Sequence, residues 1–248
     1  MNPAQVRRLS LAGVIALSVA SPALAQSMTI LSPGGGMIWG SLGFQLDLGG
    51  SINSSGIGQI GGQRAEINTN TWGERYESPL LIRLGGAFNL DDRSQIFGAF
   101  GWEKAEAEPA VAGLIGGRLL EVGFTDYESW DIDAGYRQFI DIGRNAMPFV
   151  SMSIGFQRLE AITISLSAPP FQVNDLPFYA DSWVAQWRVG TGVIAEVSEH
   201  FGLQATLDLK YSGVLSDEAG IGTLGFERIN NVGNRWSLPV MGGIFVKF

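Results

Sequence analysis

Hydrophobic side chains recur at every second position through most of this chain, the period of a strand with one apolar face. Leu42, Phe44, Leu46 and Leu48 alternate with Gly43, Gln45 and Asp47, and Leu80, Ile82, Leu84 and Phe88 with Arg83, Gly85, Ala87 and Asn89. The same rhythm runs through Ile96 to Trp102, Trp130 to Tyr136, Val150 to Phe156, Trp183 to Val193 and Leu203 to Tyr211. It returns at the end, where Trp236, Leu238, Val240, Gly242, Ile244, Val246 and Phe248 share one face. Eight strands are predicted. Their connections alternate: long ones at residues 51–78, 105–128, 159–181 and 213–234, short ones at Asp91-Asp92-Arg93, Ile142-Gly143-Arg144-Asn145 and Ser198-Glu199-His200. Long loops at one end, tight turns at the other and an even strand count predict an all-β, eight-stranded antiparallel up-and-down transmembrane β-barrel. A hairpin hidden in the third long connection would make ten strands.

Period two alone does not say which face points inward. A soluble barrel buries its apolar face, whereas a small membrane barrel turns it to lipid and fills its interior with polar side chains. The tryptophans decide. Trp102 ends the third strand while Trp130, Trp183 and Trp236 begin the fourth, sixth and eighth, so all four fall at the long-loop rim on the apolar face. With Phe88, Tyr136 and Phe248 near the other rim, they form the aromatic girdles of two membrane interfaces.

Composition fits that reading. Of 248 residues 46% are hydrophobic, yet beyond residue 25 no apolar run reaches the roughly 18 residues of a spanning helix. Residues 1–25 read as a signal peptide: Arg7 and Arg8, the apolar run Leu9 to Ala20, then Ala23-Leu24-Ala25 as cleavage site. Residues 26–37 are expected as a periplasmic segment and 38–248 as the barrel. Without Arg7 and Arg8 the 16 basic residues become 14 against 24 acidic, a net charge of −10, which argues against a nucleic-acid partner. There is no cysteine, hence no disulfide and no thiolate metal site.

The chain resembles the small Gram-negative outer-membrane barrels of the OmpA and OmpX type over residues 38 to 248. The strand and turn rhythm, "SWDIDAGYRQF" with a turn and then "MPFVSMSIGF", and the ending Gly243-Ile244-Phe245-Val246-Lys247-Phe248 carry the resemblance. It implies an outer-membrane location among lipids and lipopolysaccharide. It also implies periplasmic chaperones and the barrel assembly machinery as partners, the latter reading Gly243, Val246 and Phe248 as an assembly signal. No cofactor is implied, and the extracellular partner stays unnamed.

The candidate chemistry is thin outside the interior. Gly56-Ile57-Gly58-Gln59-Ile60-Gly61 matches a dinucleotide fingerprint but lies in a loop, without the required strand and helix. His200, the single histidine, sits in a short periplasmic turn with no nearby nucleophile, away from where an outer-leaflet lipid A substrate would be, so a lipid-modifying enzyme is the weakest alternative. Glu103, Glu106, Glu108, Glu121, Asp126 and Glu128 flank the second long loop in no fixed metal-binding spacing. The third, "ITISLSAPPFQVNDLPFYA", is too apolar for water and must pack over the mouth, extend strands or meet a partner. Inward positions nearer the long loops hold Asp47, Arg83, Glu103, Asp131, Asp133, Arg188, Asp208, Lys210 and Arg235, while those nearer the turns are mostly small: Gly85, Ala87, Gly135, Ser151, Gly190 and Gly192. Five acids facing four bases are expected to pair into a plug, with Lys247 an inert position outside it. That predicts a non-enzymatic structural or surface-interaction protein acting through its long loops; a narrow small-solute channel is the alternative.

Overall fold

The computed structural model describes residues 31–142, 146–216, 220–226 and 229–248. The expected signal peptide, and Gly143, Arg144 and Asn145 of the short turn expected from Ile142, lie outside them. The described strands are, in order, β1 (Gly36–Gly49), β2 (Ser51–Asn53), β3 (Gly56–Ile60), β4 (Gln63–Ile67) and β5 (Asn70–Thr71), then β6 (Leu80–Asn89), β7 (Ser94–Ala105), β8 (Ala110–Ile115), β9 (Arg118–Phe124), β10 (Tyr127–Phe139), β11 (Ala146–Leu159), β12 (Ile162–Ala168), β13 (Phe171–Tyr179), β14 (Ser182–Glu196), β15 (Phe201–Ser212) and β16 (Arg235–Lys247). A one-turn helix, α1 (Trp72–Arg75), follows β5.

Eight strands close a barrel in the order β1-β16-β15-β14-β11-β10-β7-β6, all paired antiparallel, with β1 sealing against β6. The first strand begins at Gly36, two residues before the expected start of the barrel at 38. The outer wall is the apolar face: Leu84, Ile132 and Ile154 are 58%, 56% and 72% exposed, as lipid-facing positions must be. Arg83, Asp131 and Asp133, on the alternate face, are buried. The girdles pack as rings, with Trp130 between Phe100 (5.3 Å) and Trp102 (6.1 Å) and Trp236 against Trp187 (5.2 Å) and Tyr211 (4.9 Å).

Above the tryptophan rim the long loops fold into a structure of their own. The ladder of β10 and β11 runs on in unchanged register as β9 and β12, from Ser129 opposite Leu159 to Phe124 opposite Ile164. The Glu160 and Thr125 amides bridge the junction, each at 3.1 Å from a carbonyl across the pair. A six-stranded sheet results, ordered β13-β12-β9-β8-β4-β3. Each of the first three long loops supplies one hairpin. Two of them turn on Gly61-Gly62 (φ 58° and 78°) and Gly116-Gly117 (φ 51° and 80°), the paired positive φ of a type I′ turn. The third long loop therefore does hide a hairpin, β12–β13, but it joins this cap and leaves the barrel at eight strands.

The fourth long loop closes the cap by wedging between its two sheet edges. Gly220 lies against the Pro177 carbonyl on β13 and Gly58 of β3 lies against the Leu224 carbonyl, each too close for a Cβ. Asn230 Nδ2 donates to the Phe178 carbonyl at 2.6 Å, and the Ser54 amide to the Ile229 carbonyl at 2.7 Å. Ile221, Phe226 and Ile229 thereby complete a core with Ile67, Trp72, Val122, Phe124, Ile164 and Phe178. The polar tips of its aromatic rings find partners: Tyr179 Oη donates to the Ile52 carbonyl (2.7 Å), Tyr76 Oη to the Thr125 carbonyl (3.0 Å) and Trp72 Nε1 to the Asn234 carbonyl (3.1 Å).

Candidate functional site

The interior is stratified, and the belt of charge in its middle comes from residues that the strand period turns inward. At the lower end Arg83 pairs with Asp133, and Arg188 reaches Asp131 at 2.8 Å and Asp133 at 3.5 Å. Above them Glu103 holds Lys210 (2.9 Å) and Arg235 (2.8 Å) while accepting from Gln45 (2.7 Å), and Arg235 also reaches Asp47 at 2.6 Å. No side chain in these pairs is more than 10% exposed. Desolvated charges persist only in such company. The Arg235 guanidinium stacks on Tyr127 (4.8 Å) and Trp72 (5.3 Å), the floor of the cap core, and so joins belt to cap.

Of the nine interior charges expected from the sequence, eight fall in this network. The ninth, Asp208, is buried but makes no direct ion pair among the described residues. The sequence reading missed a tenth charge, Arg137. It is 4% exposed, its Nε and Nη1 have no protein partner among the described residues, and its guanidinium stacks on Phe97 (4.6 Å), Phe149 (5.0 Å) and Trp39 (5.1 Å). Asp208 and Arg137 line the same internal cavity, about 20 Å³, enough for a water or two. With Arg137 counted, five acids face five bases and the interior is neutral.

Below the belt the structure corrects the expectation of a merely small-residue lumen. Inward glycines are there, but four of them seat an aromatic ring from the strand beside them: Trp39 opposite Gly85, Phe97 opposite Gly135, Phe149 opposite Gly192 and Phe245 opposite Gly202. A Cβ on any of these glycines would fall 2.1–2.6 Å from the ring. Met37, Phe139, Met147 and Ile194 complete this layer, and Leu31, from the segment before β1, is buried with them. Lys247, expected as an inert position, pairs through its Nζ with Glu196, whose side chain is 1% exposed.

The other candidates are dispersed. His200 is exposed in the β14–β15 turn, where its carbonyl accepts the Lys247 amide at 2.8 Å. The glycine fingerprint forms β3 and the start of its hairpin turn. Of the acids flanking the second loop, Glu103 is inside the belt, Glu128 accepts from Trp102 Nε1 (2.8 Å), Asp126 accepts the Ala107 amide (3.1 Å) and Glu121 faces outward on the cap. Outside the membrane, Arg158 beside Asp181 holds that carboxyl below its usual range. Gly243 packs against the Gly40 carbonyl and Ser41, Val246 faces lipid, and Phe248, 77% exposed, exchanges two backbone hydrogen bonds with Gly36 (2.9 and 3.0 Å), closing the barrel seam.

Fold and interior together define a closed, eight-stranded antiparallel transmembrane β-barrel, apolar on its outer wall and charged within. Solved structures of similar fold include Neisserial surface protein A, at 14% identity and TM-score 0.48, covering 87% of this chain and 99% of that one. OprG of Pseudomonas aeruginosa matches at 12% identity and TM-score 0.48 over 89% and 99%. Ail of Yersinia pestis, solved with the heparin analogue sucrose octasulfate, matches at 10% and 0.43 over 87% and 99%. No family model matches the sequence, and no curated protein does.

Proposed function

We propose that this protein is a closed, non-enzymatic outer-membrane barrel whose role is structural or adhesive, exercised through the cap that its long loops build. One observation carries the reading: the interior is filled in three successive layers, aromatic, ionic and apolar, with a cavity of only about 20 Å³ between the first two. A narrow solute channel would need all three layers to part. A lipid-modifying role has only His200, in the turn region, to rest on. Export through a signal peptide cleaved after Ala25, and assembly by chaperones and the barrel machinery reading Gly243, Val246 and Phe248, belong to the same proposal.

The test is conductance of the purified, refolded protein in a planar bilayer. The expected result is a baseline without steady channels; a large, steady current through the unmodified protein overturns the closed reading and promotes the channel. Deleting Phe248 tests assembly. Export should continue while folded, protease-resistant barrel in the outer membrane falls sharply, and normal levels would refute the signal.

A further inference from the structure

Two opposite charges in the lumen are buried without a direct partner. Arg137 on β10 is 4% exposed, with Nε and Nη1 unpartnered among the described residues, and Asp208 on β15, 6% exposed, makes no direct ion pair there. A buried charge left to itself is costly, so the two need each other. They do not meet directly, because each is held to its own wall. The Arg137 guanidinium stacks on Phe97, Phe149 and Trp39, contacts it would forfeit by swinging across the lumen. Asp208 lies back on β14, its Oδ1 in the place a Cβ on Gly190 would take.

Both side chains line the same internal cavity, together with Ser41, Ser153, Gln204 and Thr206. At about 20 Å³ it exceeds the roughly 10–15 Å³ that one water requires, and its lining offers more than the two to four polar partners a buried water takes. Gln204 adds an open acceptor, since its Nε2 is spent on Ser41 Oγ at 2.7 Å while its Oε1 has no partner among the described residues. Cavities that stay dry are apolar, and this one is not. Charge rules against an ion as the occupant. With Arg137 counted the interior is already neutral, so a halide would face the Asp208 carboxylate and a metal cation the Arg137 guanidinium, each bringing an unbalanced charge into a desolvated space. Water is neutral, and it accepts from a guanidinium N–H while donating to a carboxylate.

We infer that this cavity is a water-binding site, in which a trapped water accepts from Arg137, donates to Asp208 and makes the two a solvent-separated ion pair across the lumen. β14 and β11 stand between β15 and β10 around the barrel, so the bridge ties strands that no ladder joins. It also ties two layers. Arg137 belongs to the aromatic layer, whereas Asp208 stands one inward position from Lys210, whose Nζ holds Glu103 in the charge belt.

The test pairs crystal structures of the full, refolded protein, grown once in chloride and once in bromide, with a double-mutant cycle. The expected result is an ordered water at about 2.7–3.2 Å from both the Asp208 carboxylate and the Arg137 guanidinium, without anomalous bromide signal. A dry cavity, a direct contact between Arg137 and Asp208, or a bromide peak overturns the inference and leaves the closed-barrel reading standing. A column of waters running on through the aromatic layer overturns both. In the cycle, Arg137→Met and Asp208→Asn should each lower the folding equilibrium constant in phospholipid vesicles roughly tenfold, and the double variant should lose at least about threefold less than the product of the single losses. Single losses that simply multiply overturn the inference, because charges satisfied by their own walls would not depend on each other. Should either variant fail to fold, the crystal structures of the unmodified protein decide.

Discussion

Replacing Arg188 by alanine should destabilise the folded barrel by about 3 kcal/mol. The guanidinium is the only ion-pair partner of Asp131 among the described residues, at 2.8 Å from Oδ2, and Asp131 Oδ1 has no hydrogen bond there. Asp133 is in a different position, because Arg83 remains on it when Arg188 is gone. The substitution thus strands one carboxylate rather than two. An uncompensated buried charge costs roughly 3 to 5 kcal/mol, and the cavity beside Arg188 admits water that softens the penalty toward the lower figure. Against a typical total of about 5–15 kcal/mol, that is a large loss. The assay is denaturant unfolding of the protein folded in phospholipid vesicles, followed by tryptophan fluorescence and by gel migration without heating. The double variant Arg188→Met with Asp131→Leu, which removes both charges, should recover most of the loss. Bilayer conductance should stay at baseline in both, since the aromatic layer below and the cap above are untouched. A loss under about 1 kcal/mol for Arg188→Ala, or a double variant no better than the single one, would refute the account of the belt as a set of mutually dependent charges.

The aromatic seats make a sharper steric prediction: Gly85→Ala should cost about 1–3 kcal/mol by overpacking against Trp39, while Gly242→Ala, with nothing within 4 Å of its Cβ position, should be neutral in the same unfolding assay. Phe226→Ala should remove about 3–5 kcal/mol from the cap core, read as new protease cleavage within the long loops while the barrel still migrates as folded; a barrel that unfolds with it would mean that cap and barrel are one cooperative unit. Ile132→Arg, facing lipid at mid-depth, should cost about 2–4 kcal/mol and lower folding yield, whereas Thr163→Arg on the outward face of the cap should fold normally, and equal tolerance of the two would mean that the assigned faces are inverted.

The barrel was legible because a membrane forces the pattern onto the sequence. Each spanning strand must present apolar residues to lipid at every second position, and the rim tryptophans fix the direction of that face. The cap was not legible by the same means, since its strands bury one face against a core assembled from four separated loops. Val122, Ile164 and Phe226 meet only in three dimensions. Two of its hairpins did leave a local mark, in "IGGQ" and "IGGR", where paired glycines between short apolar runs signal a type I′ turn. Arg137 was missed for another reason. The period placed it inward, but it lies in the half of the lumen read as small, and an arginine held by three aromatic rings makes no ion pair among the described residues to announce it.

The glycine seats explain how an eight-stranded barrel with so many inward glycines can still be closed. A glycine opens space on its own strand, and the register places an aromatic on the adjacent strand opposite it: Gly85 takes Trp39, and Gly192 takes Phe149. Neither residue of a pair fills the lumen without the other, because the ring needs the absent Cβ and the glycine leaves a void unless the ring lies over it. The short-turn half of the seal is therefore a property of pairing rather than of composition, and it supplies the apolar ground on which the charge belt stands. With rings below and the cap core above, the ion pairs are held in low dielectric, where each is strong and each is costly to break. An interior built in this way favours a single closed arrangement over a graded opening, which leaves the exposed cap as the part of the molecule free to meet other molecules.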